Sequence, residues 1–125
     1  GEPVLGLEAA AASLITPDDV VLNLASGVYG KGFGYWAKRY SPHLLEIEVP
    51  YNEAIDPQAV ADMLKAHPEI TVVSVCHHDT PSGTINPIDA IGALVSAHGG
   101  YLIVDAVSSF GGMKTHPEDC KADIY

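Results

Sequence analysis

Along the chain, apolar residues recur first at helical and then at strand spacing, and this alternation repeats. Residues 3–15, PVLGLEAAAASLI, carry apolar side chains at 4, 7, 11 and 14, the period of a helix with one buried stripe. Pro3 suits its first turn, and the TPDD that follows closes it. VVLNLAS at 20–26 predicts a strand. GVYGKGFGYWAKRY then sets Tyr29, Phe33, Trp36, Ala37 and Tyr40 on one helical face, with glycines that weaken its opening turns. LLEIEV at 44–49 alternates apolar and acidic residues, as a strand with one wet face near a sheet edge does.

The second half repeats the scheme. A helix is expected over 57–66, capped by Asp56, with Pro57 at its first position and His67-Pro68 as its stop. ITVVSVCHH at 70–78 is β-branched and almost continuously apolar, the signature of a central parallel strand. Asn86-Pro87 opens a helix that turns Ile88, Ile91, Leu94 and Val95 inward and ends at Gly99-Gly100. YLIVD at 101–105 is the next strand, followed by a Gly-rich turn, a short helix-like HPEDC and the start of another strand at 122–125. Such an order predicts an α/β fold, a mostly parallel sheet with helices on both faces. Ligands of such sheets bind beyond the carboxyl ends of the strands. Three polar clusters fall there: Ser26 to Tyr29, His77 to Thr84, and Asp105 to Ser109. They are expected to converge.

Composition narrows the field. A chain of 125 residues suits one domain with a real core. Six basic against sixteen acidic residues give a net charge of −10, which repels phosphate backbones and argues against nucleic-acid binding. No apolar run approaches the roughly 18 residues of a membrane span, and nothing resembles a signal peptide. Cys76 and Cys120 do not make a disulfide framework, which favours a reducing cytosol. The start at Gly1 without Met, and the stop at ADIY inside a new strand, read as a piece of a longer polypeptide.

Three stretches carry candidate chemistry. Asp105 ends an apolar strand, and no Lys or Arg lies within eight residues of it. It is either a turn former or a carboxylate that stabilises a cationic ligand nitrogen, since a buried carboxylate is expensive unless paired. HHDTPSGTINP at 77–87 offers the hydroxyls of Thr80, Ser82 and Thr84, with Gly83 permitting close backbone approach. Glu2 stands at a helix N-terminus, where it either complements the helix dipole or repels an incoming phosphate in favour of a neutral hydroxymethyl group. GVYGKGFG at 27–34 lacks the spacing of a phosphate-binding P-loop. CHHD with His116 and Cys120 lacks the paired cysteines of a zinc site, so no metal is expected.

Asp105 within LIVDAVSSFGG, preceded by HHDTPSGT, resembles class V of the fold-type I pyridoxal-dependent aminotransferases. The resemblance covers the whole chain and corresponds to part of the family's large, pyridoxal-binding domain. HGGYLIVDAVSSFGGMKTHPEDCKADIY and GEPVLGLEAAAASLI are similar to the branch of the class that moves an amino group from pyridoxamine to pyruvate, giving pyridoxal and L-alanine, in vitamin B6 degradation. The resemblance implies that Asp105 pairs with the protonated pyridine nitrogen and Tyr29 stacks on the ring. Val107 would press its opposite face, and Thr80 would reach the phenolic oxygen. Phosphate-using relatives place small or hydroxyl residues where this chain has Glu2-Pro3-Val4. Unphosphorylated pyridoxamine and pyridoxal are therefore expected as substrates that bind, react and leave, with no tightly held cofactor.

The family's Schiff-base lysine falls past Tyr125, and none of Lys31, Lys38, Lys65, Lys114 or Lys121 matches its motif. Arg39 does not match the family's carboxylate-binding arginine either. Residues 1–125 are thus expected to be a fragment of the large domain, inactive alone, belonging to a cytoplasmic homo-oligomer, dimer or tetramer. One alternative is a pyridoxal-phosphate-dependent enzyme of alanine–glyoxylate type. Another is a non-catalytic α/β signalling module phosphorylated on Asp105, although LNLASG lacks the acidic cluster that such modules need.

Overall fold

The computed structural model describes residues 1–125. Helix α1 (Pro3–Leu14) leads into strand β1 (Val20–Ala25), helix α2 (Gly27–Tyr40) and strand β2 (His43–Glu48). Helix α3 (Pro57–Ala66) precedes strand β3 (Ile70–Cys76), and helix α4 (Ile88–His98) precedes strand β6 (Tyr101–Asp105). Between β3 and α4 lie two short strands, β4 (His78–Asp79) and β5 (Thr84–Ile85), which form their own antiparallel pair. The main sheet has the order β2-β1-β3-β6 and every pairing in it is parallel. The α/β architecture expected from the sequence is present.

Strand alternation sorts the core into two layers. Val21, Val72 and Ile103 point to one face, where they meet Ala11 of α1 with Phe33 and Ala37 of α2. Leu22, Leu24, Val73, Val75, Leu102 and Val104 point to the other, against Val60 and Leu64 of α3 and Ile91 and Val95 of α4. β3 is therefore covered on both faces, as its unbroken apolar run requires, whereas β2 at the edge keeps an alternating wet face. Asp56 caps α3 by accepting from the Gln58 N–H at 2.9 Å.

The weak helix former α2 lies close to the sheet because Gly34 has no side chain. A Cβ there would stand 2.7 Å from Glu46 Oε2 and 2.9 Å from Asn23 Nδ2. Asn23 in turn donates to Glu46 Oε2 at 2.8 Å and to the Gly30 carbonyl at 3.1 Å, which ties α2 to the strand beneath it.

Two local expectations are corrected, the start of α4 and the helix at HPEDC. Residues 77–85 form a hairpin. The Asp79 carboxylate accepts from the Ser82 N–H, and Gly83 supplies a left-handed φ of 70°. Gly83 serves that turn, and no atom of the chain lies within 4 Å of its would-be Cβ. Helix α4 begins at Ile88, not at Asn86-Pro87, because the Asn86 amide is engaged elsewhere. Its Oδ1 accepts from the Ile55 N–H at 2.8 Å and its Nδ2 donates to the Cys76 carbonyl at 2.7 Å. HPEDC makes turns closed by the Asp119 and Cys120 N–H groups on the His116 carbonyl, too short a run to propagate a helix. Residues 122–125 contribute a single parallel bridge, Ile103 to Ile124, beside β6.

Candidate active site

From β1 the chain runs to β2 on one side, and from β3 it runs to β6 on the other. The crevice beyond the carboxyl ends of β1 and β3 is thus the topological switch point, where parallel sheets bind their ligands. The three polar clusters meet there. A cavity of about 180 Å³ is lined by Glu2 before α1, Tyr29 in the first turn of α2, Thr80 in the hairpin, and Asp105 and Val107 after β6. The five residues that the resemblance points to share this one cavity, whereas Ser82, Gly83 and Thr84 lie outside its lining. Cys76, His78 and Ser108 complete its polar side, and Pro3, Val4 and Leu7 its apolar wall. None of the lining residues is a lysine or arginine.

Asp105 sits at the cavity floor, paired in register with Cys76 of β3. Its Oδ1 accepts from the Val107 N–H at 3.0 Å. Oδ2 has no partner within the chain, yet no buried side-chain polar atom goes unsatisfied; Oδ2 is therefore open to the cavity. Burial pushes the Asp105 carboxyl above the ordinary aspartate value; the Val107 N–H opposes this and the negative charge of Asp79 adds to it. No cation pairs with it: the ion pairs are Lys31 with Glu48, Arg39 with Glu8 and His67 with Glu69. A half-desolvated carboxylate with one free oxygen is built to receive a positively charged N–H.

Tyr29 is half exposed and faces the cavity, whereas Phe33 and Ala37, a turn and more along the same helix, enter the core. Val107 is 58% exposed across the same opening. Thr80 is exposed at the hairpin, and its hydroxyl takes no part in the bonding there, which runs through Asp79, Ser82 and Thr84. Glu2 is exposed and makes no capping bond to α1. Its carboxylate lies at the mouth of the cavity, free of the helix it precedes.

Sequence reasoning passed over Asp79, His78 and Ser108. Asp79 is fully buried and accepts from the Tyr29 N–H at 2.8 Å. The Asp-x-x-Ser spacing to Ser82 was the visible sign of a capping turn, but its reach to α2 was not. Ser108 donates its only hydroxyl proton to the His78 carbonyl at 2.6 Å. It therefore accepts from Nδ1–H of His78 at 3.0 Å. Its neighbour His77 is buried against Ser109, 2.8 Å from the hydroxyl, and burial pulls its pKa down.

A larger groove of about 430 Å³ runs beside β6 from Asp105 to Tyr125, walled mainly by apolar residues such as Ile103, Phe110 and Ile124. The smaller cavity is the one that all three polar clusters line. No group of three His, Cys, Asp or Glu residues is arranged to hold a metal.

An open carboxylate oxygen, a flanking aromatic ring and an opposing aliphatic side chain suit a flat cationic heterocycle such as the B6 ring. The chain belongs to the aminotransferase class-V family, whose model matches residues 33–125. Over its full length it is 98% identical to a pyridoxamine–pyruvate transaminase of Mesorhizobium japonicum, covering 32% of that protein. It superposes with a TM-score of 0.97 on the crystal structure of pyridoxamine–pyruvate aminotransferase from Mesorhizobium loti, at 98% identity, covering 98% of this chain and 31% of that one. An alanine–glyoxylate aminotransferase from Nostoc superposes with a TM-score of 0.92 at 28% identity, over 98% of this chain and 32% of its own. The chain thus spans about a third of the length of the relatives it matches.

Proposed function

We propose that the full-length protein moves an amino group from pyridoxamine to pyruvate, giving pyridoxal and L-alanine, as a step in vitamin B6 degradation. The observation that carries the reading is the lining of the cavity: a ring-binding set on Asp105, Tyr29, Thr80 and Val107, with the carboxylate of Glu2 and no cation at the mouth. The near-identity to a protein named pyridoxamine–pyruvate transaminase supports it.

The B6 ring, when its nitrogen is protonated, supplies an electron sink for the carbon that loses its proton during amino transfer. Asp105 keeps that nitrogen protonated through Oδ2. Tyr29 stacks on one ring face and Val107 closes the other, which excludes water. Thr80 donates its free hydroxyl to the phenolic oxygen. Glu2 accepts from the neutral hydroxymethyl arm and disfavours a phosphate there. The B6 compound then binds as a substrate, not as a resident cofactor. The rest of the machinery, including the family's lysine, belongs to the remainder of the enzyme, so residues 1–125 supply the ring-binding half and are inactive alone.

Val4, Leu5, Val28, Val107 and Phe110 are apolar and exposed. This supports a homo-oligomer, dimer or tetramer, whose contacts lie near the site. No helix is long and apolar enough to cross a membrane, and both cysteines are free and buried, in keeping with a cytoplasmic enzyme. The likeness to an alanine–glyoxylate aminotransferase favours a second reading, a pyridoxal-phosphate-dependent enzyme of that type.

The two readings separate in one assay. Full-length enzyme is given pyridoxamine or pyridoxamine phosphate as amino donor to pyruvate, and L-alanine is measured. The proposal expects turnover with the unphosphorylated donor and little with the other. The reverse preference would defeat it.

A further inference from the structure

Helix α2 presents Tyr29 from its first turn, where the chain is least able to hold itself. Glycines stand at 27, 30, 32 and 34, and the N-cap residue Ser26 gives no side-chain cap. Ser26 instead donates its hydroxyl to the Glu53 carbonyl at 2.7 Å. The opening N–H groups of α2 are met from another element. Asp79, fully buried in β4, accepts from the Tyr29 N–H at 2.8 Å through Oδ1. Oδ2 accepts from the Ser82 hydroxyl at 2.6 Å and the Ser82 N–H at 3.1 Å. No cation takes part.

The fit is close enough to forbid a side chain at position 27. A Cβ on Gly27 would fall 2.2 Å from Asp79 Cγ, and its φ of 72° suits glycine in any case. A buried carboxylate is tolerated here because it collects main-chain N–H groups at the positive end of a helix. The same carboxylate closes the turn that follows Thr80. One side chain thus joins the start of α2 to the hairpin, and with them Tyr29 and Thr80, the two residues that would contact the ring from these two elements.

We propose that Asp79 is a positioning residue: it clamps the N-terminus of α2 to the 78–85 hairpin and so fixes Tyr29 and Thr80 for the B6 ring. This rests on the ring-binding role assigned to the cavity above. Asp79 does not touch the ring itself. Replacing it loosens the platform, so ring affinity falls while the rest of the fold stays in place.

The test is a double-mutant cycle in the full-length enzyme, read as the dissociation constant of pyridoxal by absorbance titration, with circular dichroism to confirm the fold. Asp79→Asn should raise the constant by about three- to tenfold, the scale of one misplaced aromatic contact. In a Tyr29→Ala background, where the platform is already gone, Asp79→Asn should cost less than it does in wild type, leaving only the share carried by Thr80. Ser82→Ala, which removes a donor without stranding a charge, should give a smaller loss with the same non-additivity. Equal losses with and without Tyr29, or no loss in folded Asp79→Asn enzyme, would overturn the proposal. So would failure of both Asp79→Asn and Ser82→Ala to fold, since Asp79 would then be a fold-stabilising residue. Wild-type enzyme that binds no pyridoxal would overturn the functional reading beneath it, and this proposal with it, an outcome distinct from wild-type binding with additive losses.

Discussion

Replacing Asp105 by Asn in the full-length enzyme should move affinity and stability in opposite directions. The side chain keeps its size, and its amide oxygen still accepts from the Val107 N–H, now held at 3.0 Å. What disappears is the charge behind the open Oδ2. A hydrogen bond to a charged partner contributes about 1.5–3 kcal/mol, and about 1.4 kcal/mol is a tenfold change in equilibrium constant. The dissociation constant for pyridoxamine or pyridoxal should therefore rise roughly ten- to 150-fold. Absorbance titration of the ring measures it directly. An unchanged constant in folded variant would mean that the ring nitrogen does not meet position 105.

The stability arm follows from the direction of the carboxyl shift. Burial raises the folded-state pKa of Asp105 above its ordinary value of 3.8. Between those two values the folded protein holds more protons than the unfolded chain, so stability falls as pH rises through that window. Above it the full penalty of a desolvated charge remains. Ligand-free Asp105→Asn should thus have a higher melting temperature than wild type at neutral pH and lose that advantage below pH 3.8. Wild-type affinity for a cationic ring should decline on acidification through the raised pKa, while the Asn variant shows no such limb. A variant both weaker in binding and less stable at neutral pH would refute the account of Oδ2 as an unpaired, ligand-directed oxygen.

Glu2→Ser should improve pyridoxamine phosphate as a donor relative to pyridoxamine, measured as the ratio of kcat/KM values; an unchanged ratio would remove Glu2 from phosphate exclusion. Gly92→Ala places a methyl carbon 1.7 Å from the Cys120 carbonyl oxygen, so the 116–120 turns must shift away from α4. A loss of about 1–3 kcal/mol, the usual scale of overpacking, is expected from denaturant unfolding. Cys76 is buried and its thiol is pushed far up, by burial first and then by the charges of Asp105 and Asp79. A thiol reagent should label it only at the rate of unfolding, and rapid labelling of the native protein would contradict the packing of the cavity floor.

The layered sheet was legible because each strand announces its burial. The continuous ITVVSVC run belongs at the centre, the alternating LLEIEV at the edge, and both lie there. The convergence of the five candidate residues on one cavity was legible for a related reason: polar residues at the carboxyl ends of parallel strands have one place to go. Asp79 was not. A D-x-x-S turn explains its local bonds to Ser82, but nothing local says that the same carboxylate meets the Tyr29 N–H fifty residues away. The start of α4 was obscured likewise, since Asn86 looks like a cap and its amide bonds Ile55 and Cys76 instead. In both cases a short polar side chain that reads as local turn chemistry is committed to a distant backbone.

Two carboxylates line the proposed ring site and a third, Asp79, is buried beside it, in a chain already at −10; their differing satisfaction gives the site its polarity. Glu2 is exposed and remains solvated at the mouth. Asp79 is buried, yet the Ser82 hydroxyl and main-chain N–H groups more than offset its burial and hold its carboxyl below the ordinary range. Asp105 alone is left with a free oxygen, a raised pKa and no cation. The charge on Asp79 makes the ligand-free state of Asp105 worse, and by the same Coulomb term it makes a cation at Oδ2 better. A phosphate entering the cavity would meet the carboxylates of Glu2 and Asp105 and no lysine or arginine. A protonated, unphosphorylated ring would relieve the one that is unsatisfied, so the electrostatics that penalise the ligand-free cavity are the ones that select its occupant.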